Sequence, residues 1–121
     1  MTLRRRALPI LLMLLSAAAL AGVTPAEQAR IDRLIDFVES RKDVTFIRNG
    51  KDYSCEDAAN FMRGKMKMMG EHVSTAQHFI DQIASKSSTT GQPYLVRFPD
   101  GKSQPVAKFL GDELQRMDGK N

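Results

Sequence analysis

A single cysteine, two histidines and no tryptophan leave this 121-residue chain short of the groups from which small catalytic or metal-binding domains are built. One cysteine excludes an internal disulfide framework and any cysteine-only metal site. The histidines, His72 and His78, are not spaced i, i+4 as a helical metal pair would be. There is no H-E-x-x-H, G-x-S-x-G, S-x-x-K, C-x-x-C or phosphate-binding loop, so no motif names a reaction. An excess of positive charge is also scarcer than it looks. The 18 Lys and Arg exceed the 14 Asp and Glu to give +4, but three of the basic residues are Arg4, Arg5 and Arg6, directly ahead of an apolar run.

Residues 1–21, MTLRRRALPILLMLLSAAALA, have the three parts of a secretory signal peptide: a basic start, an apolar stretch and an Ala19-Leu20-Ala21 cleavage pattern. The apolar stretch is shorter than the roughly 20 residues that span a bilayer. Cleavage after Ala21 leaves Gly22 to Asn121, with 15 Lys and Arg against 14 Asp and Glu. At +1 the nucleic-acid reading falls away. In a bacterium with two membranes the expected destination is the periplasm, an oxidising compartment.

The remaining chain predicts one small α+β domain over residues 22–117, with 118–121 as a flexible tail. Thr24-Pro25 and Glu27 form a capping box ahead of Ile31, Leu34, Ile35 and Val38, an apolar stripe at helical spacing. Phe37 lies off that stripe and is expected to cover a second surface. Val44 to Arg48, Asn49-Gly50 and Lys51 to Tyr53 predict a hairpin in which Phe46 faces Tyr53. Ser54 then caps a second helix whose inner face is Ala58, Met62, Lys65, Met66 and Met69, closed by Gly70. Ser74 and Gln77 predict the cap of a third, with Ala76, Phe79, Ile80 and Ile83 inward. A strand at Tyr94–Phe98, a turn at Pro99–Lys102, a short extended piece and a last helix opened by Pro105 complete the order. The expectation is about four helices on a small antiparallel sheet made of the Asn-Gly hairpin and a second strand pair. Residues 44–69 and 94–117 share the pattern strand, Gly-Lys turn, short strand, helix, which chance and duplication explain equally well.

Three features carry chemistry. Cys55 sits in the first turn of a helix, where the dipole lowers a thiol's pKa, and His72 or His78 is a conceivable partner; an isolated, partly buried thiol is the simpler account. Met62, Met66, Met68 and Met69, followed by His72, offer soft ligands that suit Cu(I), with Met66, Met69 and His72 as the candidate set. Methionines on an inner helix face are, however, ordinary gap-fillers. The segment Ser85 to Pro93 places five hydroxyls at Ser85, Ser87, Ser88, Thr89 and Thr90. With Gly91 and Tyr94 it forms the preferred binding loop, because loops carry recognition more often than cores do. Glu113, in the last helix, is expected to be an exposed carboxylate.

Several runs are familiar together: Thr45–Gly50 with Tyr53, Ser74–Ala76, Phe79-Ile80, Ile83–Ser85, Ser88–Tyr94, Asp100-Gly101, and Phe109-Leu110 to Leu114. They resemble the YfeK-like family of small secreted bacterial proteins, a domain of unknown function. The resemblance implies an exported single domain and brings no catalytic residue, cofactor or substrate with it. Cys55 stands where that family has Ala or Ser. The resulting expectation is a non-enzymatic periplasmic binding module that uses residues 85–94, without a cofactor, on an envelope protein or a cell-wall glycan. A small hydrolase or transferase using the loop hydroxyls, and a copper carrier, are the alternatives.

Overall fold

The computed structural model describes residues 22–119. The signal peptide expected over 1–21 lies outside them. Helix α1 runs Pro25–Ser40, strands β1 and β2 are Thr45–Arg48 and Lys51–Tyr53, and helix α2 is Cys55–Met69. A 3-10 turn at Gly70–His72 leads to helix α3, Ala76–Gln82. Strands β3 and β4, Leu95–Arg97 and Ser103–Pro105, precede helix α4, Val106–Met117. Four helices and a four-stranded antiparallel sheet make this a small α+β domain.

The hairpin forms as its turn requires. Asn49 and Gly50 have φ of 52° and 77°, the left-handed conformation that a two-residue loop demands and that Asn and Gly tolerate. Phe46 is opposite Tyr53. Both strand pairs belong to one sheet, in the order β2-β1-β3-β4, because β1 and β3 pair through Phe46 and Val96. The two strand–turn–strand–helix units thus meet through their first strands and leave their second strands as edges.

Strand alternation then decides what is inside. Phe46 and Val96 are buried, whereas their neighbours Ile47, Leu95 and Arg97 are only half-buried. Tyr94, two residues before Val96, is buried as well. Under this face lie Ile31, Leu34, Ile35 and Val38 of α1, Phe79 and Ile80 of α3, and Phe109, Leu110 and Leu114 of α4. Phe109 is an aromatic hub: its ring centroid is 5.1 Å from Phe37 and 6.0 Å from both Phe46 and Phe98. Phe37 therefore covers α4, with the Arg41 guanidinium over both rings.

Several local expectations shift. Thr24 Oγ1 accepts from the Glu27 amide at 3.2 Å, but the Glu27 carboxylate leaves its own helix. It accepts instead from the Ala76 amide at 2.8 Å, at the start of α3, and pairs with Arg30 at 2.7 Å. A charged acceptor is worth more at a second orphan helix end than within a helix already capped. The cap of α3 is Thr75, whose Oγ1 accepts from the His78 amide, and Ser74 turns to the His78 ring. Gly70 ends α2 without positive φ, since the chain continues into the 3-10 turn; a Cβ there would stand 2.6 Å from Met66 Sδ. Met69 is exposed rather than inward. Glu113 is drawn in, its side chain 10% exposed and gripped by Arg116 at 2.6 Å and 2.8 Å.

The backbone hydrogen bond from Ala76, and then Arg30, hold the Glu27 carboxyl below its ordinary pKa. A lowered folded pKa contributes stability that is complete above the unfolded value and is lost as pH falls through the folded one. Glu27→Ala should therefore cost about 1–2 kcal/mol at neutral pH. In paired denaturant titrations, that gap should narrow toward about pH 3 as the wild-type carboxylate is protonated. A gap that stays constant with pH would contradict this assignment.

Candidate functional site

The same alternation that buries Phe46 places Arg48 on the inner side of β1, at the rim where the sheet runs out. Its guanidinium lies over the Phe61 ring of α2, 4.6 Å from the centroid. Nη1 donates weakly to Tyr53 Oη at 3.4 Å, and Nε is buried with no hydrogen-bond partner. A buried donor without an acceptor costs roughly 1–3 kcal/mol. No carboxylate pairs with Arg48 among the described residues.

One helical turn beyond Phe61, Lys65 occupies the apolar stripe of α2 and is only 7% exposed. Its ammonium donates to the Lys86 carbonyl at 2.9 Å and to Tyr94 Oη at 3.0 Å, and it stands 5.0 Å from the Tyr94 ring centroid. It too lacks a carboxylate partner among the described residues. Tyr94 meets Phe61 edge to face at 6.0 Å. Two cations and two aromatic rings thus interleave where α2 crosses the sheet.

Two open cavities share Arg48, Phe61 and Tyr94 as a common wall. The first, about 250 Å³, is lined by Phe46, Tyr53, Ala58, Met62 and Val106, with Asp57 among its lining groups. The second, about 290 Å³, adds Lys65, Met68, Met69, Ser87, Ser88 and Thr89. Together they form a groove along α2, apolar in one half and basic with hydroxyls in the other.

The 85–94 loop closes the basic half. It is a small hairpin of its own: the Ser87 amide donates to the Gln92 carbonyl, Gly91 to Ser87, and Tyr94 to Ser85, each near 3.0 Å. Gly91 supplies the left-handed turn at φ 76°. Ser87 is buried at its centre. Its hydroxyl accepts from the amides of Thr89 and Thr90 and from Asn49 Nδ2, and it touches Thr89 Oγ1 at 3.0 Å. Thr90 Oγ1 donates to Asn49 Oδ1 at 2.6 Å, which ties the loop to the β1–β2 turn. Ser85 Oγ points back to the Asp81 carbonyl.

Of the residues expected to bind, Ser87, Ser88, Thr89 and Tyr94 come together at the groove. Ser85, Thr90 and Gly91 serve the loop's internal bonding instead. Arg48, Lys65 and Phe61 are the groove residues that the pattern of hydroxyls does not reveal. Two signals for them exist in the chain: a lysine within an apolar helical stripe, and an arginine two positions after a core phenylalanine on a strand.

The other candidates are dispersed. Met62 is in the core, Met66 is half-buried against Gly70, and Met68 and Met69 are 84% and 49% exposed, with Ser88 Oγ near Met69 Sδ. His72 is exposed on the 3-10 turn. No group of three or more His, Cys, Asp or Glu among the described residues could hold a metal ion. Cys55 is buried, and its Sγ donates to Glu56 at 3.2 Å. Burial, then the Glu56 carboxylate, push the thiol pKa up and outweigh the helix N-terminus. Glu56 itself is brought down to about 2, chiefly by its hydrogen bond with Lys42.

Stability measurements separate the two roles at this site. Ser87→Ala should cost about 1–3 kcal/mol, because the loop's amides and Asn49 lose their common partner. Arg48→Met should leave stability within about 1 kcal/mol of wild type, since relief of the unpaired Nε offsets the lost cation–π contact. A loss of several kcal/mol in Arg48→Met would make Arg48 structural. Cys55 should resist a thiol reagent in the native protein and react on unfolding; fast native labelling would contradict its burial.

Comparison with known proteins places this domain. A family of unknown function, DUF5329, matches residues 25–118. The chain is 40% identical over 85 residues to the uncharacterized protein YfeK of Salmonella typhimurium, which covers 70% of this chain and 71% of that one. No solved structure matches. The chain belongs to the DUF5329 family of YfeK-like proteins.

Proposed function

We propose that this member of a family of unknown function is an exported, non-enzymatic binding module, and that its recognition surface is the groove between α2 and the 85–94 loop. Export is supported by the basic, apolar and Ala-x-Ala pattern of residues 1–21. No helix among the described residues is long and apolar enough to cross a membrane. The periplasm of a two-membrane bacterium is the site of action, and a component of the envelope is the target, an envelope protein or a cell-wall glycan among them.

The observation that carries the binding reading is the pair Arg48 and Lys65, two cations without carboxylates, facing one groove with exposed Met68 and Met69 at its rim. A fold gains nothing from a buried unpaired donor, so the arrangement favours a ligand that completes it. The hydrolase or transferase alternative has less support. Among the described residues, the loop hydroxyls bond to one another, to backbone, to Asn49 and to Met69, with no histidine or carboxylate side chain in reach as a base.

Site-directed photocrosslinking in cells tests this reading. A crosslinker at Ser88, beside the groove, should yield a defined adduct in the periplasmic fraction, with the chain cut after Ala21. The same group at Arg33, exposed on α1, should not. Identical adducts from both positions, or an uncut chain held in the cytoplasm, would overturn the proposal.

A further inference from the structure

The groove is divided by charge, and its backbone is already occupied. Both edges of β1 are paired, with β2 on one side and β3 on the other, and the backbone of α2 is bonded within its helix. The cavity beneath Phe61 therefore offers an occupant side chains and almost no main-chain partners. An extended peptide laid there would bury its own N–H and C=O groups unpaired, at roughly 1–3 kcal/mol each. A hydrocarbon chain has no such groups to satisfy. The lining of Phe46, Tyr53, Ala58, Met62 and Val106 suits it.

The other half needs an anion. Arg48 Nε is buried and unpartnered, and the Lys65 ammonium has only neutral partners, the Lys86 carbonyl and Tyr94 Oη. Because that phenol oxygen accepts from Lys65, its own proton is available to donate. Asp57 lines the cavity at the apolar half and repels an anion from there. Polarity thus orients the occupant, head toward Lys65 and tail under Phe61. A planar carboxylate matches the edge of a guanidinium. Met68 and Met69 at the rim are flexible enough to close over a chain of variable length.

We infer that the groove binds a single-chain fatty acid, its carboxylate held between Arg48 and Lys65 beside Tyr94 and its chain lying along Met62 and Val106. The inference rests on the binding-module reading above and gives that module its ligand class.

Titration of the protein purified from the envelope, with decanoate, octanoate, decan-1-ol and decyl phosphate as probes, tests it. Decanoate should bind saturably at one site, about tenfold tighter than octanoate for the two methylenes lost. It should also bind about tenfold or more tighter than decan-1-ol, for the charge-assisted head contacts. Arg48→Met should lose about that factor for decanoate and little for decan-1-ol. Met68→Glu, at an exposed rim position where folding is not at stake, should weaken decanoate several-fold by like-charge repulsion.

Equal affinity for decanoate and decan-1-ol, tighter binding of decyl phosphate than of decanoate, or no saturable binding of decanoate would each overturn the inference. If decanoate fails while the position-dependent adduct at Ser88 persists, the ligand class falls and the binding module stands. Loss of that adduct pattern removes the module itself.

Discussion

The antiparallel pairing of β1 with β3 is the constraint on which the rest of this molecule depends. By setting Phe46 beside Val96, it turns two short hairpins, each marginal alone, into a four-stranded sheet with one committed face. Everything on that face follows from a period of two. Phe46, Tyr94 and Val96 enter the core, Tyr53 joins Phe46 across the hairpin, and Arg48 arrives at the same side with no room to turn outward. The helices supply apolar stripes to cover this face, and Phe109 locks α1, α4 and the sheet through three ring contacts.

Polar groups around the core are handled in two contrasting ways. The hydroxyls of the 85–94 loop and the carboxylate of Glu27 are spent on structure. Ser87 organises its own loop, Thr90 fastens that loop to Asn49, and Glu27 serves the start of another helix. Arg48 and Lys65 are different. They are brought under or beside aromatic rings without an acid to pair with, and Arg48 retains a buried donor that the protein leaves unmatched. Where a fold satisfies its polar atoms almost everywhere and departs from that rule in one groove, the departure marks a place for a ligand.

Much of the fold was legible in the chain because its signals are local. Thr24, Pro25 and the Ile31–Val38 stripe define α1, and Asn49-Gly50 sets the hairpin and its Phe46–Tyr53 register, since capping and turn sterics act over a few residues. The candidate site was legible only in part. The hydroxyl-rich loop was conspicuous and does border the groove through Ser87, Ser88 and Thr89, yet most of its hydroxyl bonding turns inward. A run of hydroxyls does not say which of its donors and acceptors the loop will consume. Lys65 was visible on an apolar stripe, but its meaning depends on Tyr94 and Lys86, which reach it from more than twenty residues away.

By itself the sequence determined the number and kind of elements, their caps and turns to within a residue or two, and membership in a family of YfeK-like proteins. These depend on backbone sterics and short-range periodicity, which the chain carries wherever it goes. Only the tertiary structure decided that the two hairpins share one sheet, that Glu27 caps α3 rather than its own helix, and that Arg48, Lys65, Phe61 and Tyr94 meet in one groove. Those outcomes are choices among distant partners, made when burying apolar surface fixes which polar groups can still reach one another.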